Sequence, residues 1–246
     1  MKKEEILSAN RFEKIYRFGE VTSTMDECEN LIKSGCCKGI VVAESQTYGR
    51  GRNAKKWVSE ANGNIYLSFF DELNVDFIPQ RCAVASFLAT DFFVKNSADV
   101  CIKWPNDILV NFRKVSGIIA KILDFWGKRF YICGIGVNVF MPEDPEKNFV
   151  WKPAAISEFA EVSSREVLDK LMEKIDYAFS APSSEIFELY SKKIGWMIGK
   201  NIVFSQDLIK KENGRIIGFS DDFSVIKILT DEGLKELSAL SVLSII

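Results

Sequence analysis

Four β-rich runs follow one another between residues 99 and 140, and one helical segment precedes them. The runs are DVCIKW, DILVN, KVSGIIAKILDF and RFYICGIGVNVF. The preceding segment, residues 80–96, carries its apolar side chains at helical spacing. Strands that succeed one another beside a helical segment predict an α+β fold, in which helices pack on a mixed sheet.

The first part of the chain adds strands and a helix to this sheet. IYRFGEVTSTMDECENLIKSG predicts a strand and then a helix that begins at Thr24, with Glu27 completing a capping box, and ends near Gly35. GIVVAESQ and GNIYLSFF predict two further strands. Residues 48–57 are therefore expected to lie in the connection between two strands.

The last part of the chain changes character near Gly195. Before that point, Ser163 and Glu166 cap a predicted helix, and residues 182–194 predict another. After it come four short β-rich runs, KNIVFSQ, GRIIGFS, FSVIKILT and LKELSALSVL, separated by Asn-Gly, Asp-Asp and Glu-Gly turns. The sequence thus predicts a main domain over residues 1–194 and a small SH3-like β-barrel over residues 195–246.

Composition excludes several kinds of chemistry. The chain of 246 residues has no histidine, so Cys/His zinc sites and nucleophiles activated by histidine are excluded. Any catalysis must use lysine, arginine, carboxylates, backbone amides or a metal ion. The six cysteines show no C-x-x-C spacing, and buried free thiols are expected rather than a disulfide framework.

Charge and hydropathy bear on partners and location. A net charge of −2 and a pI near 5.5 argue against a protein that coats nucleic acid. No apolar run approaches the roughly 20 residues that span a bilayer. The first residues, MKKEEILSANRF, lack the apolar core of a signal peptide. We therefore expect a cytoplasmic protein without a membrane partner.

The segment YGRGRNAKKW, residues 48–57, has four cations and two glycines in ten positions. A solvated basic loop is one interpretation. A dinucleotide fingerprint is another, since Gly49, Gly51 and Ala54 match G-x-G-x-x-A, but the turn residues after Trp57 do not predict the helix that this motif needs. The third is a clamp for two anions, in which arginines make forked hydrogen bonds to carboxylate or phosphate oxygens. Two acids held by one loop would suit acyl-adenylate chemistry.

The segment KWPNDILVNFRKVSGIIAKI contains a second group of polar side chains. Lys103 and Lys114 flank a Pro-Asn-Asp turn, in which Asn106 and Asp107 offer oxygens to magnesium or ribose. Gly117, in the strand that follows Lys114, leaves room for a ligand. A plain β-hairpin with solvated lysines is the alternative.

The segment GIGVNV predicts a strand with one face almost without side chains. Gly134, Gly136 and Asn138 share that face, because successive residues of a strand alternate between its two faces. A flat ligand could lie against the glycines, or another strand could cross there in tight packing.

The three segments, in this order, resemble the biotin protein ligases, which attach biotin to a lysine of a carboxylase carrier domain. ESQTYGRGRNAKKW is similar to the family's biotin-binding loop, KWPNDI with KVSGIIAKI to its second signature, and GIGVNV to its third. The likeness covers about residues 15–245 and implies a biotinyl/lipoyl protein ligase-like catalytic domain that precedes the β-barrel. It implies that biotin and ATP first give biotinyl-5′-adenylate and pyrophosphate, with Mg²⁺ offsetting the triphosphate charge. The carrier lysine then attacks the mixed anhydride.

The resemblance also implies roles for single residues. The expected catalytic residues are Lys114, Arg50 and Arg52, with Lys114 as the central cation between the reacting carboxylate and phosphate. The expected biotin site consists of Ser23, Thr24, Met25, Gln46, Gly49, Arg50, Gly51, Arg52, Lys114 and Gly117. The expected ATP site consists of Arg50, Arg52, Trp57, Lys103, Asn106, Asp107, Lys114, Gly134, Gly136, Asn138 and Trp151. The expected magnesium ligands are Asn106 and Asp107.

The sequence departs from the family pattern in the first signature. Met25 stands where the family usually has asparagine, and Ala54 and Lys55 stand where it usually has Gly-Arg. These departures alter the expected flexibility of the loop and one bidentate contact.

The resemblance further predicts partners. About a dozen residues precede the first predicted strand, fewer than the DNA-binding winged helix of bifunctional members needs, so a monofunctional ligase without a DNA partner is expected. The expected partners are a biotin carboxyl carrier protein domain and a second copy of the chain, paired through exposed sheet edges. A lipoate or octanoate ligase or transferase, and a non-catalytic biotin sensor, remain as alternatives.

Overall fold

The large sheet of this computed structural model has eight strands. The structure describes residues 3–6, 11–12, 14–51, 56–142, 151–205, 211–239 and 241–245. The strands are β1 (Lys3–Ile6), β2 (Lys14–Val21), β3 (Gly39–Gln46), β4 (Ile65–Glu72), β5 (Val100–Lys103), β6 (Asp107–Val110), β7 (Arg113–Phe125) and β8 (Lys128–Val137). Their order is β1-β2-β3-β4-β8-β7-β6-β5. Only the β2–β3 pair among these neighbours is parallel, so the predicted mixed sheet is confirmed.

Four helices cover the two faces of this sheet. They are α1 (Thr24–Lys33), α2 (Ile78–Val94), α3 (Ser164–Ser180) and α4 (Ser183–Ile194). Helix α1 crosses over between β2 and β3, and its Met25 and Ile32 pack with Phe70 and Ile132 of the sheet. The other three helices pack on the opposite face, where the larger core lies. Because strand side chains alternate, the residues of β4 and β8 that share a face with Phe70 and Ile132 point toward α1.

The start of α1 corrects one detail of the prediction. Ser23, and not Thr24, is the N-cap, because its hydroxyl accepts a hydrogen bond from the Met25 N–H at 3.3 Å. The hydroxyl of Thr24 is directed instead toward Gln46 and Ser68. Thr24, which the sequence pattern predicted as the N-cap of α1, therefore hydrogen-bonds through its side chain to Gln46 and Ser68 instead.

The C-terminal β module is confirmed as a small antiparallel sheet. Its strands are β9 (Asn201–Phe204), β10 (Glu212–Phe219), β11 (Val225–Thr230), β12 (Gly233–Ser238) and β13 (Val242–Ile245), in the order β12-β11-β10-β9-β13. The prediction of an Asn-Gly turn is wrong, since Asn213 and Gly214 lie within β10. Gly214 is packed there, because a Cβ on it would lie 2.9 Å from Ile228. LKELSALSVL forms two strands and not one. The domain boundary at residue 195 stays a prediction.

Three further findings concern the ends of the sheet and the thiols. Strand β1 lies outside the sequence prediction, which began the sheet at β2. All six cysteines are free thiols, as expected, but only Cys28, Cys82 and Cys133 are buried, whereas Cys36 and Cys101 are partly buried and Cys37 is exposed. No helix in the described part of the chain is long and apolar enough to cross a bilayer.

Candidate active site

A cavity of about 550 Å³ opens on the face of the large sheet that α1 covers. Its floor crosses four strands, where Tyr66, Gly136, Gly117 and Asp107 are successive register partners. Three strand spacings put about 14 Å between the first and the last of these residues. The volume and span suit a small elongated ligand.

One end of the cavity carries a network of hydroxyl and amide groups. The backbone N–H of Thr24 and its hydroxyl both donate to Gln46 Oε1, at 2.9 and 3.2 Å. The Thr24 hydroxyl also lies 2.7 Å from Ser68 Oγ, and Gln46 Nε2 donates to Ser59 Oγ at 2.8 Å. This end therefore presents a preorganised set of neutral donors and acceptors beside the first turn of α1.

The other end of the cavity carries a compact charged cluster. The buried carboxylate of Asp107 forms ion pairs with Lys103 Nζ at 2.8 Å and with Lys114 Nζ at 2.7 Å. Burial alone would raise the pKa of Asp107, but the ammonium groups of Lys114 and Lys103 outweigh it and hold this pKa well below its usual range. Two cations around one carboxylate leave a positive cluster, which suits the oxygens of a phosphate or a carboxylate.

The backbone of Lys114 is held by a second segment. Its N–H donates to Lys152 O, and its carbonyl accepts from Ala154 N–H, both at 2.9 Å. Asn138 Nδ2 donates to Ala154 O at 3.1 Å and to Lys114 O at 3.4 Å. The amide nitrogen of Asn138 therefore ties this segment to Lys114, and a contact of Asn138 with a nucleotide stays a prediction.

The glycine-lined face is covered by a side chain of the protein itself. A Cβ on Gly136 would lie 2.5 Å from the Trp57 indole, and one on Gly117 would lie 2.7 Å from it. Gly134 similarly receives Met25, whose Sδ would lie 3.3 Å from an added Cβ. The Lys114 ammonium lies 5.1 Å from the Trp57 ring centroid. The room that the sequence predicted is thus present, and Trp57 and Met25 lie in it rather than a crossing strand; a flat ligand beside these glycines stays a prediction.

A backbone contact between Gly49 and Trp57 joins the two ends of the basic loop. Trp57 N–H donates to Gly49 O at 2.9 Å, and a Cβ on Gly49 would lie 2.4 Å from Trp57 O. Arg50 forms an ion pair with Asp26 of α1 at 2.6 Å. No helix follows the glycines in the described residues, so the dinucleotide fingerprint is excluded. Arg52, Ala54 and Lys55 lie outside the described residues.

Comparison with known proteins identifies the family. Residues 16–138 match the biotin/lipoate A/B protein ligase family. The chain belongs to this family. It is 27% identical over 237 residues to the bifunctional ligase/repressor BirA of Bacillus spizizenii, which covers 88% of this chain and 70% of that protein. It is 32% identical over 109 residues to a biotin–[acetyl-CoA-carboxylase] ligase of Mycobacterium tuberculosis, which covers 41% of this chain and 39% of that protein.

The structural similarity of this biotin/lipoate ligase family member to solved proteins covers both of its sheets. The solved biotin protein ligase of Aquifex aeolicus in complex with biotin and ATP superposes with a TM-score of 0.73 at 26% identity. The match covers 93% of this chain and 97% of that one. The expected architecture, a mixed sheet with helices and a small C-terminal β module, is therefore that of biotin protein ligases.

Most of the residues expected from the motifs line one cavity. They are Ser23, Thr24, Met25, Gln46, Arg50, Gly51, Trp57, Lys103, Asn106, Asp107, Lys114, Gly117, Gly134, Gly136, Asn138 and Trp151. Gly49 does not line it, because it lies beneath the loop against Ser59. Sequence reasoning missed Tyr66 and Ser68, although their alternation in GNIYLSFF placed them on one strand face, and it missed Val242 of β13, for which no motif gave a signal.

The expected magnesium ligands do not fit a protein-bound metal ion. The side-chain amide N–H of Asn106 donates a hydrogen bond to Ile118 O, and each carboxylate oxygen of Asp107 pairs with one lysine ammonium. Cations therefore already lie where a metal would have to bind. In the described part of the chain, no three His, Cys, Asp or Glu side chains are arranged as metal ligands. A magnesium ion that enters on the triphosphate, with phosphate and water ligands, stays a prediction.

Proposed function

We propose that the protein is a biotin protein ligase, which converts biotin and ATP to biotinyl-5′-adenylate and transfers the biotinyl group to a lysine of a biotin carboxyl carrier protein domain. The observation that carries the proposal is the polarity of the cavity. A neutral network around Thr24 and Gln46 lies at one end, and the cluster of Lys103, Asp107 and Lys114 lies at the other. Biotin has the same order of polarity, with a neutral ureido ring at one end and a carboxylate at the other.

The neutral end suits the ureido group. A urea has two N–H donors and one carbonyl acceptor, and Ser23, Thr24, Gln46 and Ser68 supply hydroxyl and amide groups on that wall. Met25 and Ile119 supply an apolar surface for the sulfur-containing ring. A buried site of this kind rejects analogues that leave its polar groups unpaired.

The charged end suits formation of the anhydride. The biotin carboxylate is ionised at neutral pH, so it attacks the α-phosphorus without a general base, and the bond to pyrophosphate breaks. Lys114 stabilises the negative charge that develops between carboxylate and phosphate. Asp107 keeps Lys114 and Lys103 in place. Its low pKa makes it a poor proton acceptor, so we assign it to positioning and not to base catalysis.

The basic loop suits retention of the intermediate. In this structure Arg50 is paired with Asp26, both partly exposed, which makes the pair weak enough to exchange for a phosphate. We propose that Arg50 and Arg52 close over the adenylate, with Trp57 and Trp151 beside the nucleotide. Lys103 Nζ lies 5.2 Å from the Trp151 ring centroid, which places Trp151 at the charged end of the cavity.

The proposed reaction also defines partners and location. The second substrate is the carrier domain of a biotin-dependent carboxylase such as acetyl-CoA carboxylase, whose lysine attacks the carbonyl carbon and releases AMP. We further propose a cytoplasmic location, where ATP and such carboxylases meet, a homodimer through exposed sheet edges, and no DNA partner.

The test is an incubation of the protein with ATP, labelled biotin and an apo carrier domain, with pyrophosphate release measured in parallel. Matched reactions use lipoate or octanoate with an apo lipoyl domain. We expect label on the biotin carrier and release of pyrophosphate only with biotin. Label on the lipoyl domain would establish a lipoate or octanoate enzyme, whereas biotin binding without pyrophosphate release would establish a sensor.

A further inference from the structure

The turn that carries the charged cluster is anchored on its reverse side by Trp104. This residue follows β5 and is 1% exposed. Its indole N–H donates to the carbonyl of Phe223 at 2.7 Å, and its backbone N–H lies 3.2 Å from Met197 Sδ. Phe223 belongs to the turn between β10 and β11, so the C-terminal sheet supplies the acceptor.

Neighbouring contacts anchor the same turn. The Tyr190 hydroxyl, from α4, donates to Pro105 O at 2.9 Å. The Phe223 ring packs 5.2 Å from the Tyr190 ring, between centroids. Gln80 of α2 donates to Asp222 O at 3.1 Å, which holds the β10–β11 turn in place. The anchor is therefore part of a packed core and not a loose surface contact.

The front of the turn bears the charges. Lys103 and Asp107 immediately flank residues 104–106 and are register partners across the β5–β6 pair. Asp107 in turn holds Lys114. A shift of the turn therefore moves Lys103 and the Asp107 carboxylate relative to the neutral end of the cavity, which is built on α1, β3 and β4, whereas the backbone of Lys114 stays held by residues 152–154.

We propose that Trp104 is a positioning residue for the phosphate end of the site, with the Phe223 carbonyl as its fixed anchor. This inference rests on the proposed function. Loss of the indole N–H removes the hydrogen bond from the buried Trp104 ring to the partly buried Phe223 carbonyl, so the turn is no longer tied to the C-terminal sheet by this bond. Displacements of this size at a site that aligns reacting groups lower the rate strongly. The effect is expected on ATP and not on biotin.

The test compares Trp104→Phe with Trp196→Phe. Trp196 provides a matched control, because its indole N–H also donates to a backbone carbonyl, that of Ile102, at 2.9 Å. For each protein we would measure kcat and KM for ATP in pyrophosphate release, the Kd of biotin without ATP, and the thermal midpoint. Trp104→Phe is expected to lower kcat/KM for ATP about tenfold, an order typical of lost alignment, with the Kd of biotin within about twofold. Trp196→Phe is expected to stay near wild type for both.

Two results with a folded Trp104→Phe variant would overturn the inference. One is a loss of kcat/KM for ATP in Trp104→Phe no larger than in Trp196→Phe. The other is an equal loss of biotin affinity, which would indicate general loosening. If Trp104→Phe does not fold, Tyr190→Phe decides, because it removes only a hydroxyl; an ATP-specific loss supports the inference and unchanged ATP kinetics refute it. An inactive wild type would refute the proposed function, and this inference with it.

Discussion

Replacing Gly136 by alanine tests whether the Trp57 indole lies on the glycine face. The added Cβ would lie 2.5 Å from the indole, where ordinary contacts are 3.4–4 Å, so one of the two groups must move by about 1 Å. The backbone of Trp57 is held by its N–H hydrogen bond to Gly49 O, and its indole packs beneath the Lys114 ammonium. Overpacking of this kind costs about 1–3 kcal/mol of the free energy of unfolding.

A double-mutant cycle separates this clash from other effects. Urea unfolding would be measured for Gly136→Ala, Trp57→Ala and the double variant. Without the indole the new methyl group has no close neighbour there, so Gly136→Ala should cost less than about 0.5 kcal/mol in the Trp57→Ala background. Gly134→Ala is a control, because an added Cβ there would lie 3.1 Å from Ile119 and 3.3 Å from Met25, a much milder contact than the 2.5 Å at Gly136. An equal cost of Gly136→Ala in both backgrounds would show that Trp57 does not lie there.

Three other predictions follow from the charges and thiols. Lys114→Ala should lower pyrophosphate release about 10²–10³-fold. Arg52→Gly should keep pyrophosphate release measurable but should release the intermediate, which then biotinylates an unrelated protein. Equal loss of pyrophosphate release in both variants, without labelling of the unrelated protein, would refute these separate roles of Lys114 and Arg52. The Asp107 pKa is depressed, so its contribution is present above the unfolded pKa of about 3.9 and is lost as the pH falls. Asp107→Asn should therefore lose less stability than wild type between pH 6 and 3, measured by urea unfolding; parallel losses would contradict the ion cluster. Exposed Cys37 should react with a maleimide at once and buried Cys82 only on unfolding; equal rates in the native protein would exclude this arrangement.

The periodic part of the fold could be predicted from the sequence, and the parts held by distant contacts could not. The helix expected over residues 80–96 lies at Ile78–Val94, because its apolar spacing is a local property. Strand β1, KEEI, has no apolar alternation and forms by pairing with β2. Asn213 and Gly214 read locally as a turn, but they lie in β10 because they pair with Val203 and Ile202 of β9.

The candidate site shows the same division. Its motifs gave residue types with recognisable chemistry, and the cavity brings nearly all of those described together. Ser68 was missed because a serine in a strand has no signature until α1 places Thr24 above it. The glycines predicted an open face, but glycine spacing cannot specify which side chain fills it, and Trp57 does so from a loop some sixty residues or more away in sequence.

The order of strands in the large sheet has a consequence during synthesis. Strand β4 pairs with β8, so residues 65–72 have no partner on that side until residues 130–137 have left the ribosome. The floor of the cavity, the Ala154 tie to Lys114 and the Phe223 anchor are completed later still. A nascent chain therefore lacks the complete cavity through most of its elongation. During that time one edge of the apolar strand β4 is unpaired, and exposed strands of this kind bind chaperones. Any truncated product that ends before β8 should be degraded or aggregate rather than consume biotin and ATP.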